Sequence, residues 1–238
     1  MSEYWLLPLI AFASAFTQGS AGFGHALIAI PLFAMLIDVK TAIPLSLLNG
    51  ILINLTLMFR WHERLDFKKS RPLFTGAVFG IPIGVYFLKS LDPSMIKMGL
   101  GSFLIAFAIF SLMVAEIKLR MGARLAYLFG FFSGILGGAF GLNGPISVFF
   151  VTTQPWEIDQ KKGVLVTYFV VSNIMVITFY ALSGLATLAA LKWFAICAPF
   201  LVAGSLSGSA TSDNVHKDTV KRFMYFLIIV MGGMMFAR

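Results

Sequence analysis

The chain has 238 residues, 59% of them hydrophobic and 12% charged, with a formal net charge of +8. A soluble domain carries about 25% charged residues; here the charges collect between long apolar runs, the pattern of a polytopic helical membrane protein. The basic residues flank those runs, where headgroups and the topology rule account for them, and no basic stripe is interleaved with aromatics, so nucleic acid is excluded as a partner.

In chain order, Met1 to Trp5 shows no basic n-region and no A-x-A site, and is not read as a removed signal peptide. The first apolar run, 4–37, is split by Gln18-Gly19-Ser20-Ala21-Gly22-Phe23-Gly24-His25-Ala26. Each arm is about 15 residues, or roughly 22 Å of helix, short of the ~30 Å hydrocarbon core. A re-entrant hairpin fits that length better than two full spans, with short tilted spans as the alternative. Three longer runs follow, 42–59, 72–88 and 95–115, and then a basic linker, 118–124.

The second half repeats the order. A hairpin at 125–153 breaks at Gly137-Gly138-Ala139-Phe140-Gly141-Leu142-Asn143-Gly144-Pro145, and runs follow at 163–183, 193–210 and 220–237. Gly22 and Gly141 are 119 residues apart, as are Asn54 and Asn173. The expected fold is therefore all-α, with two repeats, 1–117 and 125–238, each one glycine-broken hairpin plus three transmembrane helices. A hairpin returns to its own side and three spans cross an odd number of times, so the repeats are expected to be inverted, as in many secondary transporters.

Two patterns bear on packing. Gly76, Gly80 and Gly84, then Gly130, Gly134 and Gly138, and again Gly204 and Gly208, recur at four-residue spacing, which lets helices approach closely. Packing within the protomer is one reading and a homodimer contact the other. Gly232 is expected to face outward. The single cysteine, Cys197, permits no internal disulfide and reads as a small packing residue.

The spans lack Asp, Glu, Lys and Arg except at their ends. No paired carboxylate, HExxH, GxSxG or P-loop is present, so enzymatic chemistry, a cofactor and a metal site are all unexpected. What remains is backbone. Irregular backbone survives in a bilayer only where protein buries it or it lines a wet cavity. A helix restarting after a glycine break offers unpaired N–H groups and a partial positive charge. Two such starts converging near mid-membrane would hold a small anion weakly. The candidate substrate-binding residues are Gln18, Gly19, Ser20, Gly22, Gly24 and His25 at the first break, and Gly138, Gly141, Asn143 and Gly144 at the second. Asn49, Asn54, Thr167 and Asn173 join them from the spans that follow. His25 is the one group in the expected interior that ordinarily titrates near neutral pH, with a reference value of about 6.5. It either couples anion binding to proton uptake or, as a neutral ring, bonds a backbone carbonyl and fixes the hairpin.

The order of glycine-rich turn, spans, basic linker and second glycine-rich turn resembles the TauE/SafE family of sulfite and organosulfonate exporters. Gly22-Phe23-Gly24 with Pro31, and Gly141-Leu142-Asn143-Gly144-Pro145, carry the resemblance. It implies export of a small anion, such as sulfite, a sulfonate or a related organic acid, across a bacterial inner membrane. Members often carry a further glycine where this chain has His25. The alternatives are an anion-selective, channel-like pore and a non-transporting anchor subunit, the latter disfavoured by the short loops.

Basic residues set the expected orientation. Arg60, Arg64, Lys68, Lys69, Arg71, Lys118, Arg120, Arg124, Lys161, Lys162, Lys217, Lys221 and Arg222 fall on one side, and Lys40, Lys89, Lys97, Lys192 and Arg238 on the other. That asymmetry makes the first side cytoplasmic and puts both termini outside. In a Cys197→Ser background, single cysteines at Ser2 and Arg238 are expected to react with an impermeant thiol reagent in intact cells. Cysteines within 60–71 and 118–124 are expected to stay protected; the reverse pattern would overturn the orientation.

Overall fold

The structure is a computed structural model that describes residues 4–113, 122–211 and 217–236. Ser2, Arg238 and most of the 118–124 linker lie outside the described residues. The protein is an all-α, polytopic membrane protein. Five helices are long and apolar enough to cross a bilayer: α3 (Val39–Arg60), α4 (Phe67–Ser90), α5 (Pro93–Met113), α8 (Ile158–Ser183) and α9 (Leu188–Thr211). They coincide with the first five of the six long runs in the sequence. The sixth run falls in α10 (Lys217–Met234), whose apolar stretch includes Tyr225–Met234.

The interrupted runs form four shorter helices, α1 (Leu6–Ala21), α2 (His25–Leu36), α6 (Ala123–Phe140) and α7 (Gly144–Thr153). At 1.5 Å per residue they reach about 24, 18, 27 and 15 Å, each less than the hydrocarbon thickness. Local chemistry sets several boundaries. The Asp38 carboxylate accepts the Lys40 amide at 2.8 Å at the start of α3. Asp66 does the same for Lys69 at 2.9 Å at the start of α4. The backbone turns left-handed at Gly22 (φ 84°) and Gly141 (φ 70°), which ends α1 and α6 where a β-carbon would be strained.

Packing is dominated by two helix pairs, α4 with α6 and α1 with α9. Both are glycine seams. A β-carbon on Gly76, Gly80 or Gly84 would overlap the backbone carbonyls of Tyr127, Phe131 or Ile135 on α6. Gly130, Gly134 and Gly138 stand in the same relation to Leu73, Ala77 and Ile81 on α4. On the other seam, Gly204 and Gly208 of α9 abut the carbonyls of Phe12 and Phe16 of α1, and Gly19 of α1 abuts Ser205. All three stripes are thus consumed within the protomer. Gly232 departs from its expected outward position: it is buried against α5, where a β-carbon would lie 2.8 Å from Ile105 Cγ1, because α5 and α10 also pair closely. Gly233, next to it, has open space where a side chain would go.

Inserting atoms into a well-packed interior costs about 1–3 kcal/mol when neighbours can yield. Here the obstacle is backbone, which cannot. Gly80→Val is therefore expected to abolish recovery of folded protein from detergent-solubilised membranes. Gly233→Val should leave the size-exclusion profile and melting temperature close to those of the parent.

Candidate functional site

Each short-helix pair is joined by an irregular turn. After α1 ends on Gly22, whose amide bonds Gln18 O at 2.7 Å, Gly24 takes φ 112° and α2 begins at His25. After α6 ends on Gly141, α7 begins at Gly144 with Asn143 at its N-cap and Pro145 in its first turn. Neither α2 nor α7 has a side chain capping its first-turn amides.

The two helix starts border one small cavity. Gly24, His25, Ala26 and Leu27 line it from α2; Gly141, Asn143, Gly144 and Pro145 line it from the second break. Gln18 of α1, Asn54 of α3 and Asn173 of α8 complete its polar wall, and Phe23 and Phe169 are among its apolar parts. None of the lining residues is Asp, Glu, Lys or Arg.

Hydrogen bonds fix these polar groups. Gln18 Nε2 donates to Asn54 Oδ1 at 2.8 Å, and Asn54 Nδ2 donates to Gly50 O at 2.6 Å. Asn143 uses both protons of its Nδ2, one to Asn173 Oδ1 at 2.6 Å and one to Ser172 Oγ at 2.7 Å. Each break therefore hands one amide side chain to the asparagine of its following long helix. Gly50 is where α3 and α8 meet: a β-carbon there would lie 2.9 Å from Asn173 Nδ2.

His25 is buried, with both ring nitrogens engaged. Nε2 lies 3.2 Å from the Ser46 carbonyl and 3.4 Å from the Ser46 hydroxyl. Nδ1 lies 2.8 Å from Ser14 Oγ. The ring thereby ties α2 to both α1 and α3. Ser133 serves the second break: its hydroxyl donates to Asn143 O, so its bond at 2.7 Å to Tyr168 must be donated by the phenol.

Eight of the residues named from the sequence share the cavity wall: Gln18, Gly24, His25, Asn54, Gly141, Asn143, Gly144 and Asn173. The others lie elsewhere. Gly19 and Gly138 face the α9 and α4 seams, and the Gly138 carbonyl accepts from Tyr180 at 2.7 Å. Ser20 and Thr167 return their hydroxyls to their own helices, at Thr17 O and Gly163 O. Gly22 flanks the first break beside Lys162. The Asn49 amide is buried in α3 with no partner among the described residues. Ser14, Ser46, Ser133, Tyr168 and Ser172 were not singled out by the sequence reading. Ser14 and Ser133 carried a usable signal, since they share the 119-residue spacing of the two breaks.

The family described as "Sulfite exporter TauE/SafE" matches residues 7–235, essentially from the start of α1 to the end of α10. The chain belongs to the TauE/SafE family. Among curated proteins, it is 24% identical over 175 residues to the "Probable sulfite/organosulfonate exporter TauE" of Cupriavidus necator, covering 72% of this chain and 68% of the other. No solved structure matches it. This TauE/SafE protein is a membrane transporter and not an enzyme. Among its described residues, no group of His, Cys, Asp or Glu could hold a metal ion.

Removing one partner of a buried hydrogen bond leaves the other unsatisfied, at about 1–3 kcal/mol. Asn143→Ala is therefore expected to lower the melting temperature in detergent by several degrees. Adding Asn173→Ala should cost less than the sum of the two single changes, because both sever one bond. Strict additivity in this double-mutant cycle would mean that the pair is not coupled.

Proposed function

We propose that this protein is a secondary transporter, an exporter of a small anion such as sulfite, an organosulfonate or a related organic acid. The carrying observation is that two helix N-termini with uncapped first turns border one uncharged polar cavity. Their dipoles and free amides favour an anion. With no fixed cation in the wall, the anion is held weakly enough to leave again. The curated relative's name supplies the sulfur oxyanion class, and the first-turn amides of α2 and α7 suit its oxygen acceptors. The substrate-binding set on this reading is the eight cavity residues, with Gly22 shaping the first break.

The architecture we infer is two inverted repeats, 1–117 and 125–238, joined by 118–124, with hairpins that enter from opposite faces. Exchanging α1 with α6 and α4 with α9 turns one glycine seam into the other. The same exchange, with α3 and α8 swapped, turns the α3–α9 contact into α4–α8. This pairing supports the repeat, and it also refines how alternating access would work. Each hairpin is seamed to a helix of the other half, so the halves cannot rock as independent bodies; the moving parts must keep α1 with α9 and α4 with α6. The setting is the bacterial inner membrane, with both termini outside. A homodimer, if formed, must use surfaces other than the glycine seams.

Thermal shift of the purified protein against sulfite, sulfonates and short carboxylates tests ligand class, because a ligand of the folded state raises its apparent stability. Reconstituted flux separates transporter from pore: saturation and accumulation against a gradient fit the former, linear voltage-driven flux the latter. Gly22→Val and Gly141→Val are expected to abolish transport, and normal affinity in both would refute the anion site. Affinity for an organosulfonate, which does not titrate near neutrality, is then measured against pH. His25→Gln flattens the profile if the ring couples protons, and leaves it unchanged if His25 only fastens α2 to Ser14 and Ser46.

A further inference from the structure

Resting on the repeat proposed above, we infer that His25 and Asn49 act in the first half as the Gly144 and Tyr168 pair acts in the second, and that Asn49 is the positioning residue whose short side chain admits the imidazole to the first break. The register of the repeat can be followed residue by residue. Phe12 and Phe131 are 119 residues apart, as are Phe16 and Ile135. The carbonyls of the first pair abut Gly204 and Gly80, and those of the second abut Gly208 and Gly84. Ser14 and Ser133 lie between them at the same spacing. On the long helices, Gly50 and Phe169, and Asn54 and Asn173, keep that spacing, and all four line the cavity. Asn49 and Tyr168 immediately precede the first of these two pairs, and both are buried. His25 and Gly144, each the first residue of its short helix, complete the set.

Within this register the two halves make one contact from exchanged parts. The Ser133 hydroxyl is reached at 2.7 Å by the phenol oxygen of Tyr168, from long helix α8. The Ser14 hydroxyl is reached at 2.8 Å by Nδ1 of His25, from short helix α2. The ring comes from the long helix where the break has glycine, and from the break where the long helix has asparagine. Two rings cannot share one place in an interior packed without spare volume. Residue 49 must therefore be short for His25 to reach Ser14. Its own contacts point the same way: Asn49 is fully buried, and neither atom of its amide head has a partner among the described residues. What the position requires is the size of the side chain. The exchange also moves the ring to a different body. Tyr168 belongs to a spanning helix, whereas His25 opens α2 and lines the cavity. The group that fastens the first break is thereby part of the proposed anion site.

The test is a pair of exchanges in the full-length protein, read first by melting temperature in detergent, which needs no substrate. His25→Gly empties space and Asn49→Tyr overfills it, so each alone is expected to lower the melting temperature by several degrees. The double variant, which rebuilds the second-half arrangement in the first, should recover most of that loss. The reverse exchange, Gly144→His with Tyr168→Asn, should behave alike; a β-carbon on Gly144 would stand 3.8 Å from Phe169 Cζ, an ordinary contact. Asn49→Leu should melt at or above the parent, since a buried amide without a partner is costlier than hydrocarbon of the same shape. Thermal shift with an organosulfonate reads the positioning role: Asn49→Tyr, with the imidazole displaced, should bind less well than the double variant. Recovery in either exchange supports the pairing, and additive losses in both overturn it. A double variant that binds no better than Asn49→Tyr overturns the positioning role. A loss of several degrees in Asn49→Leu overturns the size requirement and assigns the amide to a bound water or ligand. If the parent shows no shift with sulfite, sulfonates or carboxylates, the anion-site reading falls, while the melting cycles still decide the pairing.

Discussion

Backbone-to-backbone contact along the α4–α6 and α1–α9 seams is the constraint to which the rest of the molecule is fitted. In lipid there is little hydrophobic gain from bringing two helices together, so close packing must hold them. Glycine at four-residue spacing permits that approach, and carbonyls such as those of Phe131 and Phe16 fill the space where side chains would stand. The seams grip α1 and α6, the first members of the two short-helix pairs. With α1 and α6 fixed, the turns at Gly22 and Gly141 have fixed positions too, and α2 and α7 begin at the same cavity.

The polar groups around that cavity are uncharged amides, hydroxyls and one imidazole. Gln18, Asn143 and His25 each cross from a break to a neighbouring long helix. Their bonds satisfy groups that hydrocarbon would penalise by several kcal/mol apiece. These bonds also hold the helix starts in place, which on the proposed reading would leave their dipoles preset toward an anion. Preorganised dipoles stabilise a charge without needing to reorient around it. A lysine in the wall would bind more tightly and release more slowly. Lys162, beside Gly22, is not part of that wall.

Much of this was legible in the residues because bilayer thickness and glycine chemistry leave few alternatives. The long runs mark α3, α4, α5, α8 and α9, and the breaks at Gly22 and Gly141 lie where the backbone turns left-handed. The hairpin glycines were harder to apportion. Gly19 and Gly24 read alike in sequence, yet Gly19 lies within α1 against α9, while Gly24 lies in the turn beyond that helix and borders the cavity. Gly232 and Gly233 differ because a helix presents successive residues on different faces. Ser14 and Ser133 escaped notice because a serine in an apolar helix most often bonds its own backbone, as Ser20 does, and only tertiary structure shows it reaching elsewhere.

The seams also bear on how the chain is made. α1 leaves the ribosome first, yet its glycine partner is α9, close to the end of the chain. At about 5–20 residues per second, Gly19 is in place roughly 10–40 s before Ser205 is synthesised. During that interval α1, at about 24 Å shorter than the hydrocarbon core, lacks the helix it packs on most closely. Something other than its final partner must shelter it in the meantime, whether the insertion machinery, α2 and α3, or the membrane interface. A ribosome stalled within α9 would strand the first short-helix pair in that provisional state, so quality control of this transporter is expected to hinge on α9.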